Sequence, residues 1–202
     1  MSLVTRARTE DVAAAKAALR RRVLDARRRL QPRDLGAAAR ALRDVVLGMP
    51  EVTRARVVAV YVSVGREPGT GPLLDALLER GTEVLLPLLL PDGDLDWAVH
   101  EGDAALTEAA RGLLEPTGPP LGPGAVAGAA AVLVPGLAVD RRGVRLGRGG
   151  GSYDRVLARL GGRAFTCVLL HDGEVLDLPV PRDRHDVPVD AAATPSGLVR
   201  LR

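Results

Sequence analysis

The chain is short of several residue types, and each shortage excludes something. It has one cysteine, Cys167, so no intramolecular disulfide forms and a small disulfide-stapled scaffold is ruled out. Cys167 sits in the apolar run FTCVLL, which reads as a buried small side chain and not as a nucleophile. Aromatic residues make up 2% of the chain, so Val, Leu and Ala must build the core. No run of about 18 uninterrupted apolar residues exists, which argues against a membrane span. The best candidate, GAVAGAAAVLVPGLAV, is rich in Gly and Ala and broken by Pro135. The opening stretch MSLVTRARTE lacks the apolar region of a secretory leader, so a cytoplasmic location is expected. His100, His171 and His185 show no metal spacing such as H-x-x-x-H and read as structural or surface residues. Of 28 Lys and Arg residues only Lys16 is a lysine, which marks the one place with a compact ammonium.

The 202 residues, 47% of them hydrophobic, suffice for one sizeable core. A net charge of +3 suits anionic small molecules as well as nucleic acid. The run LRRRVLDARRRL raises the second possibility. Its charges wrap around one apolar seam with no aromatic residues interleaved for stacking, so it reads as a solvated helix face.

Apolar spacing predicts helices over 10–31, 34–47, 71–80 with Gly81 past its end, and 152–161 with Ser152 as N-cap and Gly161 as stop. Apolar runs predict strands over 56–64, 83–90, 130–136 and 163–170, and the alternating DLDWAVH predicts another over 94–100. Pro87 inside the second run suggests an irregularity or an edge. Residues 100–128 read as loop with one helical turn, and LPVPRDRHDVPVD as an extended tail. Alternating strands and helices, with strands apolar on both faces, predict a single α/β domain over 1–202. Its sheet is mainly parallel and sandwiched by helices.

The most informative segment is RLGRGGGSYDR, Arg145 to Arg155. It lies between a predicted strand and a predicted helix, at the edge where such sheets bind ligands. Gly147, Gly149, Gly150 and Gly151 let backbone N–H groups approach an anion, and Arg145 and Arg148 add forked donors. Neither common nucleotide loop is present. No G-x-x-x-x-G-K-[ST] occurs, and G-x-G-x-x-G fails at Ser152. Asp154 would repel a polyphosphate unless a divalent cation lay between them. On these grounds the segment is an anion or nucleotide loop, with a plain flexible surface turn as the alternative.

The stretch VLVPGLAVDRRGVRLGRGGGSYDR, Val132 to Arg155, resembles the signature of the 5-formyltetrahydrofolate cyclo-ligase family. Other pieces agree in order: KAALR (Lys16 to Arg20), YVSVGREPGT (Tyr61 to Thr70), GLLEP (Gly112 to Pro116) and RHDVPVD (Arg184 to Asp190). The resemblance implies a Rossmann-like three-layer fold of the CoA-transferase-like kind. It implies an enzyme of one-carbon metabolism, and a monomer with no nucleic-acid or membrane partner is expected. The implied reaction is an ATP- and Mg²⁺-dependent closure of 5-formyltetrahydrofolate to 5,10-methenyltetrahydrofolate, through phosphorylation of the formyl oxygen and attack by N10. Residue by residue, it implies that Lys16, Arg20, Arg145, Gly147, Arg148, Gly149, Gly150, Gly151, Ser152 and Tyr153 hold ATP. Arg145 and Arg148 would serve the chemistry. Val62, Glu67, Arg148 and Ser152 would contact the folate, and Asp154 and Asp186 the metal, with Asp183 and Asp190 as rivals of Asp186. Two positions depart from the family's pattern: Val139 stands where Phe is common, and Ser152 where a first Tyr is common. The competing readings are a nucleic-acid-binding protein and a folate or nucleotide binder without turnover.

Overall fold

A computed structural model describes residues 3–201, with side chains from Asp11 onward apart from that of Arg111. Its elements are α1 (Leu3–Arg28), α2 (Pro32–Leu47), α3 (Pro50–Thr53), β1 (Val57–Ala59), α4 (Gly71–Glu79), β2 (Glu83–Leu89) and β3 (Leu95–Val99). Then come β4 (Leu106–Glu108), β5 (Leu114–Pro116), β6 (Ala131–Pro135), β7 (Ala138–Asp140), β8 (Arg145–Leu146) and α5 (Ser152–Leu160). The chain finishes with β9 (Phe165–Leu169), β10 (Val175–Leu176), β11 (Ala191–Thr194) and β12 (Gly197–Arg200).

Seven strands form the central sheet in the order β12-β11-β9-β6-β1-β2-β3. The interior pairs are parallel, and β3 and β12 cap the two edges antiparallel. Side chains alternate between the faces with period two. Val58, Val84, Leu86 and Leu133 enter one core with Leu42, Val46, Leu73 and Leu77 of α2 and α4. Ala59, Leu85, Val132 and Val134 enter the other with Val156, Leu157 and Leu160 of α5. Both faces are therefore covered, as the continuous apolar runs predict.

The third cluster lies outside these layers. The small sheet β10-β7-β8 and the segment around Val180 pack Leu137, Ala138, Val144 and Leu146 against Val23 of α1. Helix α1 thus lies over the glycine segment's hairpin and not over the central sheet.

Several expectations need correction. The strand expected over 56–64 keeps only β1, and residues beyond Ala59 turn into a loop that forms part of the site. Pro87 is not on an edge, because β2 is interior. Its place has a simple cause: the β1–β2 ladder ends there, since the Val60 N–H donates to the Leu85 carbonyl but Pro87 has no N–H to continue it, so the proline marks where β1 stops. Residues 100–128 contain the antiparallel pair β4–β5, and the tail contains the β11–β12 hairpin. Ser152 opens α5 but does not cap it. The capping position is Gly151 at φ +74°, a left-handed backbone that a β-carbon would strain.

Candidate active site

The strand order reverses its direction of growth between β1 and β6, so a crevice opens beyond their carboxyl ends. A cavity of about 390 Å³ fills it. Tyr61 and Val62, just past β1, line one side, and Pro135 and Gly136 at the end of β6 line the other. Gly147 to Asp154 complete it, together with Glu67 and an apolar wall of Pro87, Leu89 and Leu95. A larger groove of about 530 Å³ lies at the opposite edge, where Arg56 and Arg80 are exposed and none of the expected site residues is found.

Arg145 is the fixed cation of the cavity. Its side chain is 4% exposed; one Nη donates to the Pro135 carbonyl at 2.8 Å and the other to Asp154 Oδ1 at 2.7 Å. The guanidinium also lies 6.0 Å from the centre of the Tyr153 ring. The carboxylate that looked awkward in the sequence therefore has a protein partner, and orients the arginine. Burial pushes the Tyr153 and Tyr61 hydroxyls well above their usual range, and the Glu67 carboxylate pushes both further. Both stay protonated, and Tyr61 donates to the Pro68 carbonyl at 3.3 Å.

Glu67 faces Arg145's region from the loop after β1. That loop closes on itself. The Ser63 N–H donates to Thr70 Oγ1 at 2.9 Å, and the Thr70 N–H to Ser63 Oγ at 3.0 Å. Glu67 Oε2 accepts the Val64 N–H at 3.1 Å, and Oε1 accepts from Arg148 Nε at 2.9 Å across the mouth of the cavity. The Glu67 carboxyl is 9% exposed and the Arg148 side chain 55%, so the pair has one rigid and one solvated partner.

Helix α1 reaches this site from behind. Arg20 Nε donates to the Gly147 carbonyl at 2.9 Å, and its guanidinium lies under Gly149, within 3.4 Å of where a β-carbon would stand. Lys16 Nζ bonds Asp186 Oδ2 at 2.5 Å, and the Asp183 N–H donates to the same oxygen. Arg27 overturns the reading of the arginine run as a wholly solvated face. It is 3% exposed, forms a bidentate pair with Glu174 at 2.7 Å and donates to the Gly136 carbonyl at 2.7 Å.

The expected residues thus fall into two groups. Val62, Glu67, Arg145, Gly147, Arg148, Gly149, Gly150, Gly151, Ser152, Tyr153 and Asp154 share the cavity. Lys16, Arg20 and Asp186 do not line it; Arg20 stands behind the glycine segment, and Lys16 and Asp186 pair with each other. Magnesium takes one or two carboxylates and fills its octahedron with water and phosphate oxygens. Asp154 fits that need, because it lines the cavity and its Oδ2 accepts no hydrogen bond among the described residues. Asp186 fits it less well, with one oxygen already taken by Lys16 and a backbone N–H. No cluster of three or more His, Cys, Asp or Glu side chains poised for a metal occurs among the described residues.

Sequence reasoning missed the apolar wall. Leu113 and Leu114, at the tip of the β4–β5 pair, line the cavity with Glu115. The GLLEP stretch that contains them was the available signal. Its strands are too short for periodicity to reveal.

The sequence profile of the 5-formyltetrahydrofolate cyclo-ligase family matches residues 12–195. A 5-formyltetrahydrofolate cyclo-ligase of Mycolicibacterium smegmatis is 40% identical over 93% of this chain and 97% of its own length. That of Escherichia coli is 30% identical over 84% of this chain and 94% of its own. Among solved structures, the Aquifex aeolicus 5,10-methenyltetrahydrofolate synthetase superposes with a TM-score of 0.79 at 29% identity, covering 93% of each chain. The 5,10-methenyltetrahydrofolate synthetase of Mycoplasma pneumoniae, 18% identical, shares the fold with a TM-score of 0.69.

Proposed function

The chain belongs to the 5-formyltetrahydrofolate cyclo-ligase family, and from that we propose that it closes 5-formyltetrahydrofolate to 5,10-methenyltetrahydrofolate at the expense of ATP. The observation that carries this reading is the two-sided cavity at the strand crossover. Arg145, Arg148 and the glycine backbone make one side, and Glu67 with Val62 and the leucines the other.

The formyl oxygen of the substrate is a poor leaving group. Transfer of the γ-phosphoryl group to it creates a good one; N10 then attacks the formyl carbon, the C–O bond breaks, phosphate leaves and the N10 proton is lost. Such a transfer needs positioning and charge stabilisation more than covalent help from the protein. Arg145 supplies both, because the Pro135 carbonyl and Asp154 fix its guanidinium before any ligand arrives. Glu67 can accept the N–H donors on one edge of the pterin ring. It would then give up Arg148, whose solvated side chain is free to turn toward the transferring phosphoryl group. Arg20 holds the Gly147 carbonyl outward, leaving the N–H groups of Gly149 to Ser152 available to phosphate oxygens. Lys16, one helical turn before Arg20 on α1, would be a second cation for the nucleotide, released from its present counter-ion Asp186. Magnesium, when bound, would neutralise phosphate charge, with Asp154 as its protein ligand. The inward turn of Arg20 and Arg27 favours this reading over a nucleic-acid surface on α1.

The test is direct. Purified protein with 5-formyltetrahydrofolate, ATP and Mg²⁺ should produce the long-wavelength absorbance of the methenyl product. No product above an enzyme-free control overturns the proposal. Folate binding without turnover would favour a binder, and salt-sensitive nucleic-acid binding alone would favour the surface reading.

A further inference from the structure

The β4–β5 pair is a wall of the cavity anchored at one end, where Leu106 packs on the central core and Pro116 is buried, and exposed at its tip. It has three residues in each strand, and a two-stranded ribbon of that size is marginal by itself. Leu114 at its tip is 41% exposed while lining the cavity, so packing does not fix it.

Beside it, β2 has one spare donor. The His100 N–H donates to the Val84 carbonyl, which turns the N–H groups of Leu85 and Leu89 away from β3 and toward β1's side. There β1 ends in register at Ala59 opposite Leu85, and Pro87 has no N–H. Leu89 is the next donor on that side with no strand to meet it. Glu115 Oε1 accepts that N–H at 2.9 Å, the one hydrogen bond joining the β4–β5 pair to β2 among the described residues.

We propose that Glu115 is a positioning residue for the folate side of the site: its bond to the Leu89 N–H holds Leu113 and Leu114 as the apolar wall over the substrate's ring system. This rests on the cyclo-ligase reading above. Glu115 touches neither the glycine segment nor α1 through any hydrogen bond among the described residues, so its effect is confined to the folate. The acceptor oxygen makes the bond and its charge strengthens it, because a carboxylate accepts an amide N–H more strongly than a neutral oxygen does.

The experiment compares wild type, Glu115→Ala and Glu115→Gln by steady-state kinetics in both substrates, with thermal melts alongside. Glu115→Ala should raise the KM for 5-formyltetrahydrofolate about ten- to a hundredfold, the scale of one lost hydrogen bond to a charged acceptor. The KM for ATP should stay within about twofold and the melt nearly unchanged. Glu115→Gln, which keeps a neutral acceptor oxygen, should recover a measurable part of the folate affinity lost in the Ala variant. A folate KM unmoved by Glu115→Ala overturns the inference. So does an equal rise in both KM values, or a Gln variant as impaired as the Ala variant. Absence of turnover in the wild type would instead defeat the cyclo-ligase reading. In that case equilibrium binding of 5-formyltetrahydrofolate, without ATP, still tests Glu115 by the same comparison: weakened by Ala and partly restored by Gln, or not.

Discussion

At the scale of single residues, the pairing of Arg145 with Asp154 decides what a substitution does. Asp154→Asn keeps an oxygen for the Arg145 Nη at the same position, so the fold and the guanidinium orientation should survive. The charge that would hold a cation is lost. The Mg²⁺ concentration for half-maximal turnover should then rise by at least about tenfold, with the thermal midpoint little changed; titrating Mg²⁺ against both proteins checks this. Unchanged Mg²⁺ dependence would remove Asp154 as the ligand. Some residues disclosed themselves in the sequence through chemistry. Cys167, expected to be buried, is fully so, and burial pushes its thiol up to about 12. Others did not, because their reason lies across the fold. Gly143 lies just upstream of the glycine segment, within the stretch that resembles the family signature. A β-carbon there would stand 2.4 Å from the Val189 carbonyl oxygen, a segment 46 residues on, so the glycine serves packing of the tail and not the ligand. Nothing local in DRRGV discloses that neighbour.

At the scale of elements, the long pieces were legible and the short ones were not. Helices α2, α4 and α5 and strands β2, β3, β6 and β9 have enough turns or alternations for their apolar period to stand out. The β7–β8 hairpin has strands of three and two residues and offers no period at all. Asp140 builds it instead. Its carboxylate accepts the N–H groups of Arg142, Val144 and Val180 and pairs with the Arg142 guanidinium, although the residue is 1% exposed. Burial alone would push this carboxyl up. The Arg142 guanidinium and the three N–H donors outweigh it and hold it below the usual carboxylate range. A depressed folded value means stability that is present above the unfolded pKa, about 3.9, and lost as pH falls through the folded one. Asp140→Asn should therefore be destabilised most near neutrality, and its gap from wild type should close as the pH drops below about 4. Urea midpoints across that range read the effect; a gap independent of pH would show that the charge contributes nothing.

At the scale of the whole molecule, the layered α/β sheet was legible because strand and helix alternate with apolar strands. The position of α1 was not, because its amphipathic pattern is shared by any surface helix. Its contacts are with residues far along the chain, and Arg27 is the most committed of them. Arg27→Ala would leave Glu174 buried without its cation, at a cost of about 3–5 kcal/mol. Chemical denaturation should show that loss, and replacing both partners by methionine should restore much of it. The same contacts bear on how the protein is made. Synthesis produces Lys16, Arg20 and Arg27 early, and Gly147, Glu174 and Asp186 more than a hundred residues later. Until then the emerging chain carries these three cations without their partners, beside a ribosome whose RNA is an abundant polyanion. Docking of α1 is therefore a late step with a large loop to close, and the competitor it must leave behind is the machine that made it.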